Sequence, residues 1–281
     1  MTERYRYDGD SDGDDDGDGN GAVLAAPVAV VTGGSQGLGE ALVRALVEDG
    51  WQVVTDARRA DRLAAAVARL GPAAARAHPL PGDVTDPEHR ALLATTAAAL
   101  GPVSLVVNNA STLGASPLPA ADRLDPAVLR RIFEVNVVAP LSLIQALLPH
   151  LAPGATIVDI TSDAAVEAYE GWAGYGASKV ALEHVGAVLA VEHPELRVVA
   201  VDPGDLRTEM HQDAFPGEDI SDRPEPHTAV PGLLALIAGD QPSGRYRAAD
   251  VPAPVPAVVV ADAPADVGAG AAGATSGTVG S

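Results

Sequence analysis

The stretch Val28-Ala-Val-Val-Thr-Gly-Gly-Ser-Gln-Gly-Leu-Gly39 decides the fold of this chain. Its four apolar residues predict a buried strand, and the helical spacing of Leu38, Leu42 and Leu46 predicts a helix directly after it. The glycines between them let the backbone turn tightly and approach a phosphate, and the helix start offers unpaired N–H groups and a positive dipole. The stretch therefore predicts a dinucleotide site. An ordinary glycine turn is the alternative, because Gly-x-x-x-Gly-x-Gly is not the more common Gly-x-Gly-x-x-Gly spacing.

The rest of the chain alternates short apolar runs with amphipathic stretches. Valine- and isoleucine-rich runs predict strands that are covered on both faces, at residues 53–54, 105–107, 157–160 and 198–201. Helical patterns that end at glycine or proline fall at residues 61–70, 87–100, 126–151 and 173–193, with a short apolar helix near 230–238 and a last edge strand at 243–247. This alternation predicts an α/β fold with a doubly wound parallel sheet and ligands at the carboxyl ends of its strands.

We expect a single domain over residues 27–248, between two tails. Residues 1–26 are rich in Asp and Gly and cannot bury apolar surface, so they are predicted to be disordered. Residues 249–281 are rich in Ala, Pro and Gly without helical or strand period, so they are predicted to be a flexible tail. The acidic tail partly matches a calcium-binding loop. However, Gly19 stands where the bidentate glutamate is needed, so a solvated tail is the preferred interpretation.

Composition argues against several classes of function. The chain has no cysteine, which excludes disulfides and thiolate catalysis and fits a cytoplasmic protein. Its net charge of −20 argues against a nucleic-acid partner, which requires a basic surface. No run of about 18 apolar residues and no signal peptide are evident, so a membrane location is not expected. The seven histidines lack ligand spacing, and no metal site is predicted.

Lys179 is the only lysine in the chain, whereas its other 17 basic residues are arginine. It follows Tyr175 by one helical turn, so the ammonium and the phenol are expected side by side. A compact ammonium can donate to several groups at once, which the rigid guanidinium fork cannot. We expect the ammonium to lower the pKa of Tyr175 from about 10 and make the phenol a proton donor and acceptor. The alternative is a surface lysine retained by chance.

Together these features resemble the short-chain dehydrogenase/reductase family over about residues 27–208. The features, in the family's order, are the turn from Thr32 to Gly39, Asp83-Val84, Asn108-Asn109-Ala110, Asn136, Ser162, Tyr175-x-x-x-Lys179, and Pro203-Gly204 followed by Thr208. The resemblance implies a Rossmann-like three-layer fold and an NAD(P)-dependent oxidoreductase that acts on a small carbonyl or alcohol.

The resemblance also implies a role for each matching residue. Tyr175 would be the general acid/base, Ser162 would hydrogen-bond the substrate oxygen, and Lys179 would donate to the nicotinamide ribose. Asn136 would hold a water between Lys179 and solvent, although an asparagine that satisfies a bent helix backbone is an equal alternative. The residues expected to bind the dinucleotide are Gly33, Ser35, Gln36, Gly37, Leu38, Gly39, Arg58, Arg59, Asp83, Val84, Asn109, Ala110, Tyr175, Lys179, Pro203, Gly204 and Thr208. Asp83 and Asn109 could also simply cap turns.

The end of the second strand bears on the choice between NADP and NAD. A carboxylate there would bind the ribose 2′-hydroxyl, whereas an arginine accommodates a 2′-phosphate. Ala57 stands at the family's carboxylate position and Arg58 follows it, which favours NADP. Asp56 is one residue away and Gln36 replaces a basic residue found in many NADP-preferring relatives, so NAD stays possible.

The substrate pocket is expected among loops 111–118, 164–172 and 209–226, with 210–226 as a lid. Tyr169 and Trp172 would either flank a substrate ring or pack the loop. The expected reaction is NADPH-dependent reduction of a ketone or aldehyde to an alcohol. The alternatives are an NAD-preferring alcohol dehydrogenase and a non-catalytic, dinucleotide-sensing regulatory protein. A homodimer or homotetramer through the helices at 126–151 and 173–193 is expected by analogy.

Overall fold

The structure is a computed structural model and describes residues 25–252. The two predicted tails, with the acidic Asp/Gly segment and its partial calcium loop, lie outside the described residues except at positions 25–26 and 249–252.

Seven parallel strands form one sheet, in the order β3-β2-β1-β4-β5-β6-β7. The strands are β1 (Val28–Val31), β2 (Gln52–Ala57), β3 (Ala77–Pro81), β4 (Val103–Asn108), β5 (Leu151–Ile160), β6 (Arg197–Asp202) and β7 (Gly244–Arg247). The predicted doubly wound parallel sheet is confirmed. The predicted edge strand at the end of the domain is also confirmed, as β7.

Eight α-helices connect the strands within residues 25–252. They are α1 (Gly37–Glu48), α2 (Ala60–Ala68), α3 (Pro87–Leu100), α4 (Pro126–Phe133), α5 (Ala139–Leu147), α6 (Ala173–Glu192), α7 (Glu209–Ala214) and α8 (Val230–Ala238). A π-helical turn, Glu134–Val138, joins α4 to α5. Short 3₁₀ turns lie at Gly71–Arg76, Ala121–Arg123, Leu148–His150, Asp163–Ala165, Pro226–Ala229 and Ala248–Asp250.

Alternate residues of each strand point into two separate apolar layers, as the pleat requires. In β1, Ala29 and Val31 pack with α1 and α8, whereas Val28 and Val30 pack with α3, α5 and α6. Both faces of the sheet are therefore covered by helices. This explains why the central strands consist of uninterrupted apolar runs.

The helical stretch Pro126–His150 is long and apolar enough to cross a membrane by length and composition, which the sequence analysis did not anticipate. Core helices of soluble proteins pass the same test. Here Leu143, Ile144 and Leu147 are buried in the layer between the helices and the sheet. The stretch is therefore a core helix in this fold.

The strand order reverses direction between β1 and β4. The chain winds outward from β1 through β2 to β3 on one side and from β4 to β7 on the other. The loops that leave the carboxyl ends of β1 and β4 separate at this point and open a crevice, which is where ligands bind in sheets of this kind.

Candidate active site

A cavity of about 640 Å³ opens at the carboxyl edge of the sheet. The loops that follow β1 to β6 all contribute to its wall. All 17 residues predicted to bind the dinucleotide line it, together with Ser162. Asn136 is the one predicted site residue that does not line the cavity.

The glycine turn is shaped for close approach to a ligand. Gly33 and Gly37 have φ angles of 73° and 59°, in the left-handed region that side chains disfavour. A Cβ at Gly39 would lie 2.3 Å from Gly33 O and 2.4 Å from Asn109 Nδ2. The turn and the start of α1 therefore form a cradle that a side chain would fill, as expected for a pyrophosphate site.

Asn109 holds this turn from the neighbouring strand. Its Nδ2 donates to Thr32 O at 2.8 Å and to Gly33 O at 3.3 Å, and its backbone N–H donates to Thr32 Oγ1 at 3.0 Å. The Thr32 hydroxyl also accepts from Ala110 N at 3.0 Å. The side chain of Asn109 thus stabilises the loop across the crevice, in addition to bordering the cavity.

Three arginines follow β2, and of these three only Arg58 has no hydrogen-bond or ion-pair partner for its guanidinium within residues 25–252. Arg59 pairs with Asp61 at 2.6 Å, and Arg62 donates to Gln36 Oε1 and pairs with Glu209 at 2.5 Å. Arg58 is exposed and lines the cavity, so it can meet an incoming anion without breaking a contact.

Asp56, the carboxylate that could compete with Arg58, is turned inward. It is 1% exposed, and its Oδ1 accepts from Gly33 N at 2.8 Å. Its Oδ2 pairs with Nε2 of buried His89 at 3.0 Å. Because both oxygens are engaged in the interior, the carboxylate supports the glycine turn rather than offering an acceptor at the cavity surface.

Asp83, one of the residues expected to bind the dinucleotide, accepts hydrogen bonds from Thr85 and Arg131. Its Oδ1 accepts from Thr85 N and Oγ1 at 2.9 and 2.8 Å, and its Oδ2 accepts from Arg131 Nη2 at 2.9 Å. Burial alone would raise the pKa of Asp83, but these hydrogen bonds and the Arg131 charge outweigh it and lower the pKa. Arg131 also lines the cavity.

Ser162 and Tyr175 both line the cavity. The Ser162 hydroxyl donates to Asp163 Oδ1 at 2.9 Å, and the Tyr175 ring packs edge-on against Trp172 at 5.5 Å between centroids. Trp172 lines the cavity, whereas Tyr169 does not and is 43% exposed. Of the two aromatic residues noted in the sequence, only Trp172 can therefore flank a substrate here.

Lys179 is almost fully buried beneath Tyr175. Its Nζ donates to Ile160 O at 2.7 Å and lies over the Tyr175 ring, 5.4 Å from the centroid. Burial lowers the pKa of Lys179 to about 8, opposed by the carboxylates of Asp159 and Glu183. A lysine retained by chance on the surface is excluded by this burial.

The prediction that the pKa of Tyr175 is lowered is wrong for the protein alone. Burial raises the pKa of Tyr175, and the carboxylates of Asp163 and Asp202 add to this effect, while a hydrogen bond with Ser111 opposes it. Desolvation of the phenolate is the largest cause of the shift, and the ammonium of Lys179, 5.4 Å from the ring centroid, does not reverse it. Tyr175 therefore keeps its proton at neutral pH.

Asn136 sits in the π-helical turn, but its side chain bonds outside its own helix. Its Oδ1 accepts from Thr112 N at 2.9 Å, and its Nδ2 donates to Thr112 O and Ser178 Oγ, both at 3.0 Å. Ser178 Oγ in turn donates to Tyr175 O at 2.6 Å. Asn136 thus connects the loop after β4 to the turn of α6 that carries Tyr175. Its water-holding role stays a prediction.

Arg245 of β7 ties together three parts of the site from behind the cavity. Its Nη2 donates to Ser162 O at 3.1 Å and to Asp202 Oδ2 at 3.2 Å. Its Nε donates to Glu183 Oε1 of α6 at 3.0 Å. Asp202 Oδ1 accepts from Gly204 N at 2.9 Å, so the carboxylate that Arg245 contacts also supports the turn after β6.

Sequence reasoning missed Arg131, Asp163 and Arg245. The contacts of Arg131 and Arg245 join residues 43 to 83 positions apart, and no local pattern announces such pairs. Asp163 could have been noted from the sequence, because it directly follows the predicted catalytic serine, Ser162.

Two further predicted residues, Thr208 and Gly204, line the cavity on the segment after β6. Thr208 caps α7 by accepting from His211 N at 3.1 Å. A Cβ at Gly37 would lie 3.4 Å from Thr208 Cγ2, so Thr208 faces the glycine turn across the crevice. Gly204, with φ 77°, provides the turn that follows β6. The residues present therefore fit a dinucleotide that extends from the Arg58 end to Tyr175.

Comparisons with known proteins give one consistent result. Residues 27–219 match the family model described as short chain dehydrogenase. A short-chain dehydrogenase/reductase of Arabidopsis thaliana is 33% identical over 190 residues, which cover 66% of this chain and 73% of that protein. A Shigella flexneri short chain dehydrogenase complexed with NADP superposes with a TM-score of 0.73 at 28% identity, covering 79% of this chain and 97% of that chain. A short chain dehydrogenase of Escherichia coli complexed with NADPH superposes with a TM-score of 0.72 at 29% identity, covering 79% of this chain and 96% of that chain.

Proposed function

The chain belongs to the short-chain dehydrogenase/reductase family of oxidoreductases, and on this premise we propose that it reduces a ketone or aldehyde to an alcohol with NADPH. The observation that carries the proposal is the shared cavity. One wall is the glycine turn with Arg58, and the other presents Ser162, Tyr175 and Lys179.

The preference for NADPH is supported by charge. Arg58 is the free guanidinium at the end of β2, and Asp56 is turned inward, so a 2′-phosphate would meet an unpaired cation and no exposed carboxylate from β2. The two solved relatives complexed with NADP and NADPH agree with this assignment. An NAD-preferring alcohol dehydrogenase is the alternative that cofactor measurements would reveal.

The protein's own groups then define the chemistry at the substrate. The reduced nicotinamide, when bound, would supply the hydride to the carbonyl carbon. Tyr175, which holds its proton at neutral pH, would donate it to the carbonyl oxygen. The Ser162 hydroxyl would hold the same oxygen by donating a hydrogen bond, exchanging Asp163 for the substrate. Lys179, buried beneath the phenol, would fix its orientation.

A screen of ketones, aldehydes and alcohols with NADPH and NADH, followed by the absorbance of the reduced nicotinamide, tests the proposal. We expect reduction of at least one carbonyl, with a higher kcat/KM for NADPH than for NADH. Tyr175→Phe should retain NADPH binding and lose turnover by about 100-fold or more, because the proton donor is removed. Tight NADPH binding without any turnover would instead favour the dinucleotide-sensing protein.

We also infer a homo-oligomer that forms through α6 and the adjoining helix α4–α5. Val138, Val180, Val188 and Val191 are exposed on these elements, at 42% or more each. On α6 the three valines follow the spacing of one helix face, so they form an apolar stripe that a second copy would cover.

A further inference from the structure

We propose that Asp163 sets the substrate class of this enzyme: a ketone with an ammonium group on the carbon next to the carbonyl, and not a 2-oxo acid. This inference rests on the proposed reduction, because it concerns the same cavity and the same serine.

The position of Asp163 follows from its contact with the predicted catalytic serine. Asp163 lines the cavity, and its Oδ1 is 2.9 Å from Ser162 Oγ. A carbonyl oxygen held by Ser162 would therefore lie about two hydrogen-bond lengths from this carboxylate. A substituent on the adjacent carbon of the substrate falls within reach of it.

The charge of Asp163 is not neutralised by the protein. Its oxygens accept from two hydroxyls, those of Ser162 and Tyr169, the latter at 3.0 Å. No cation pairs with it in the described part of the chain. The neighbouring Asp202 differs in this respect, because it is paired with Arg245. Asp163 is therefore the half-buried carboxylate at the reacting end that still lacks a counter-charge.

The cavity as a whole is divided by charge. Its four arginines lie at the dinucleotide end: three follow β2, and Arg131 pairs with Asp83. At the reacting end Lys179 is buried and donates to Ile160 O, and His211, which also lines the cavity, lies 4.0 Å from the Asp205 carboxylate, while Asp163 and exposed Asp213 face the cavity. A cleft lined by one sign of charge attracts the opposite charge and repels its own. This end of the cavity fits a cationic substrate and disfavours an anionic one.

Three ketones that share a phenyl ring test the inference: acetophenone, its 2-amino derivative as the ammonium ion, and phenylglyoxylate. They present a methyl, an ammonium-bearing carbon and a carboxylate beside the same carbonyl. We expect kcat/KM with NADPH to fall in the order ammonium, neutral, anionic for the wild-type protein. Calorimetric titration of each ketone into the protein with NADP⁺ measures the same preference without turnover.

Asp163→Asn is the informative variant, since it removes the charge with little change of shape. We expect the ratio of kcat/KM for the ammonium ketone to that for acetophenone to fall by about tenfold or more, as is typical when a hydrogen bond between charged groups is lost. The kcat/KM for phenylglyoxylate should rise. Glu167→Gln is the matched control. Glu167 Oε2 accepts from the same Tyr169 hydroxyl at 2.8 Å but does not line the cavity. It should leave both preferences within about twofold of the wild type.

The outcomes separate the two proposals. If no ketone is reduced but the ammonium compound binds in preference and Asp163→Asn abolishes that preference, the reduction is wrong and the role of Asp163 stands. If a ketone is reduced but the preference is the same in wild type and Asp163→Asn, or favours phenylglyoxylate, the role of Asp163 is refuted while the reduction stands. Loss of binding preference in the Glu167→Gln control would also count against it.

Discussion

At the level of single residues, Lys179 has little freedom to change. It is 2% exposed, and its Nζ donates to Ile160 O directly beneath Tyr175. Lys179→Arg keeps the charge, but the longer planar guanidinium cannot occupy the same space and donate in the same direction. We expect kcat to fall by about 100-fold or more, because the proton donor loses its support. Steady-state kinetics measures this, with circular dichroism to verify folding. Near-normal turnover would mean that the lysine has another role.

Arg58 is the residue on which cofactor preference should depend. Arg58→Ala removes the free guanidinium, so we expect the Kd of NADPH to rise about tenfold or more while that of NADH changes little. Arg59→Ala is the matched control, because Arg59 is already paired with Asp61. Fluorescence titration with both cofactors provides the values. Equal losses for NADPH and NADH, or a larger effect of Arg59→Ala, would contradict this assignment.

Asp159 makes stability depend on pH. It is fully buried in β5, where burial raises its pKa from 3.8 to about 6, while a hydrogen bond from Asn108 Nδ2 at 2.7 Å and the charge of Lys179 oppose the shift. The folded state binds this proton more tightly than the unfolded state does. Protonated Asp159 therefore stabilises the fold at low pH, and this stabilisation is lost as pH rises from about 4 to about 6. Above that range the charged carboxylate destabilises the fold by about 2–3 kcal/mol.

Asp159→Asn should therefore stabilise the protein at pH 7 and have a much smaller effect at pH 4. An amide can also donate, and Asn108 Oδ1 is a buried acceptor without a partner within residues 25–252. Urea unfolding of both proteins at the two pH values gives the difference in the free energy of unfolding. A difference that does not grow with pH would show that Asp159 titrates normally.

At the level of elements, β7 supports the reacting centre through one side chain. Arg245→Gln leaves Asp202 and Glu183 without their counter-charge, so we expect kcat to fall about tenfold as Ser162 loses its support. The alkaline limb of the pH–rate profile should move to higher pH, because the Glu183 carboxylate raises the pKa of Lys179 and would lose the counter-charge of Arg245. Arg247→Gln is the control, because Arg247 is exposed on the same strand and has no ion pair in the described chain.

A loss of activity in Arg245→Gln without a shift of the pH profile would mean that Arg245 only stabilises the fold. If Arg245→Gln and Arg247→Gln had the same kcat and the same pH–rate profile, Arg245 would have no role in the site. Arg245→Lys should recover part of the activity, because it restores the charge but cannot contact Glu183 and Asp202 with the same fork.

The elements also show how far sequence patterns extend. The central strands were predictable because both of their faces are buried, which leaves continuous apolar runs. The runs miss β3, Ala77–Pro81, because His78 and two prolines interrupt it. Proline lacks the N–H that a central strand needs, and β3 tolerates it as the edge of the sheet. At Asn136 a bent helix was one of two alternatives from the sequence, but the contacts of its side chain with Thr112 and Ser178, 24 and 42 positions away, required the structure.

In the candidate site, too, some features could be predicted from sequence patterns and others could not. Gly37, Gly39 and Tyr175-x-x-x-Lys179 could be located because their spacing along the chain is set by a turn or a helix. The protonation of Tyr175 could not be predicted, because its pKa depends on burial and on the carboxylates of Asp163, after β5, and Asp202, at the end of β6. Spacing identifies which groups meet, whereas their charge states require the packed structure.

At the level of the whole molecule, the sheet topology separates binding from chemistry. The cavity-lining residues that follow β1 to β3 lie at the proposed dinucleotide end, and the segments after β5 and β6 provide Ser162, Asp163 and Gly204 at the proposed reacting end. The β1–β4 switch point joins the two ends, and Asn109, which follows β4, bonds across it to Thr32, which directly follows β1. Substrate preference can therefore change through the later loops without altering the glycine turn.

The exposed stripe on α6 leads to a prediction about assembly. We expect the wild-type protein to sediment as a dimer or tetramer, and Val188→Asp to shift it to monomer, because an isologous interface receives the buried charge from both copies. Val166→Asp is the control: Val166 is 61% exposed, but it lies in the loop after β5 and not on α6. Analytical ultracentrifugation at micromolar protein measures the mass of each. A monomeric wild type, or a Val188→Asp protein that assembles as the Val166→Asp control does, would show that the valine stripe is not the interface.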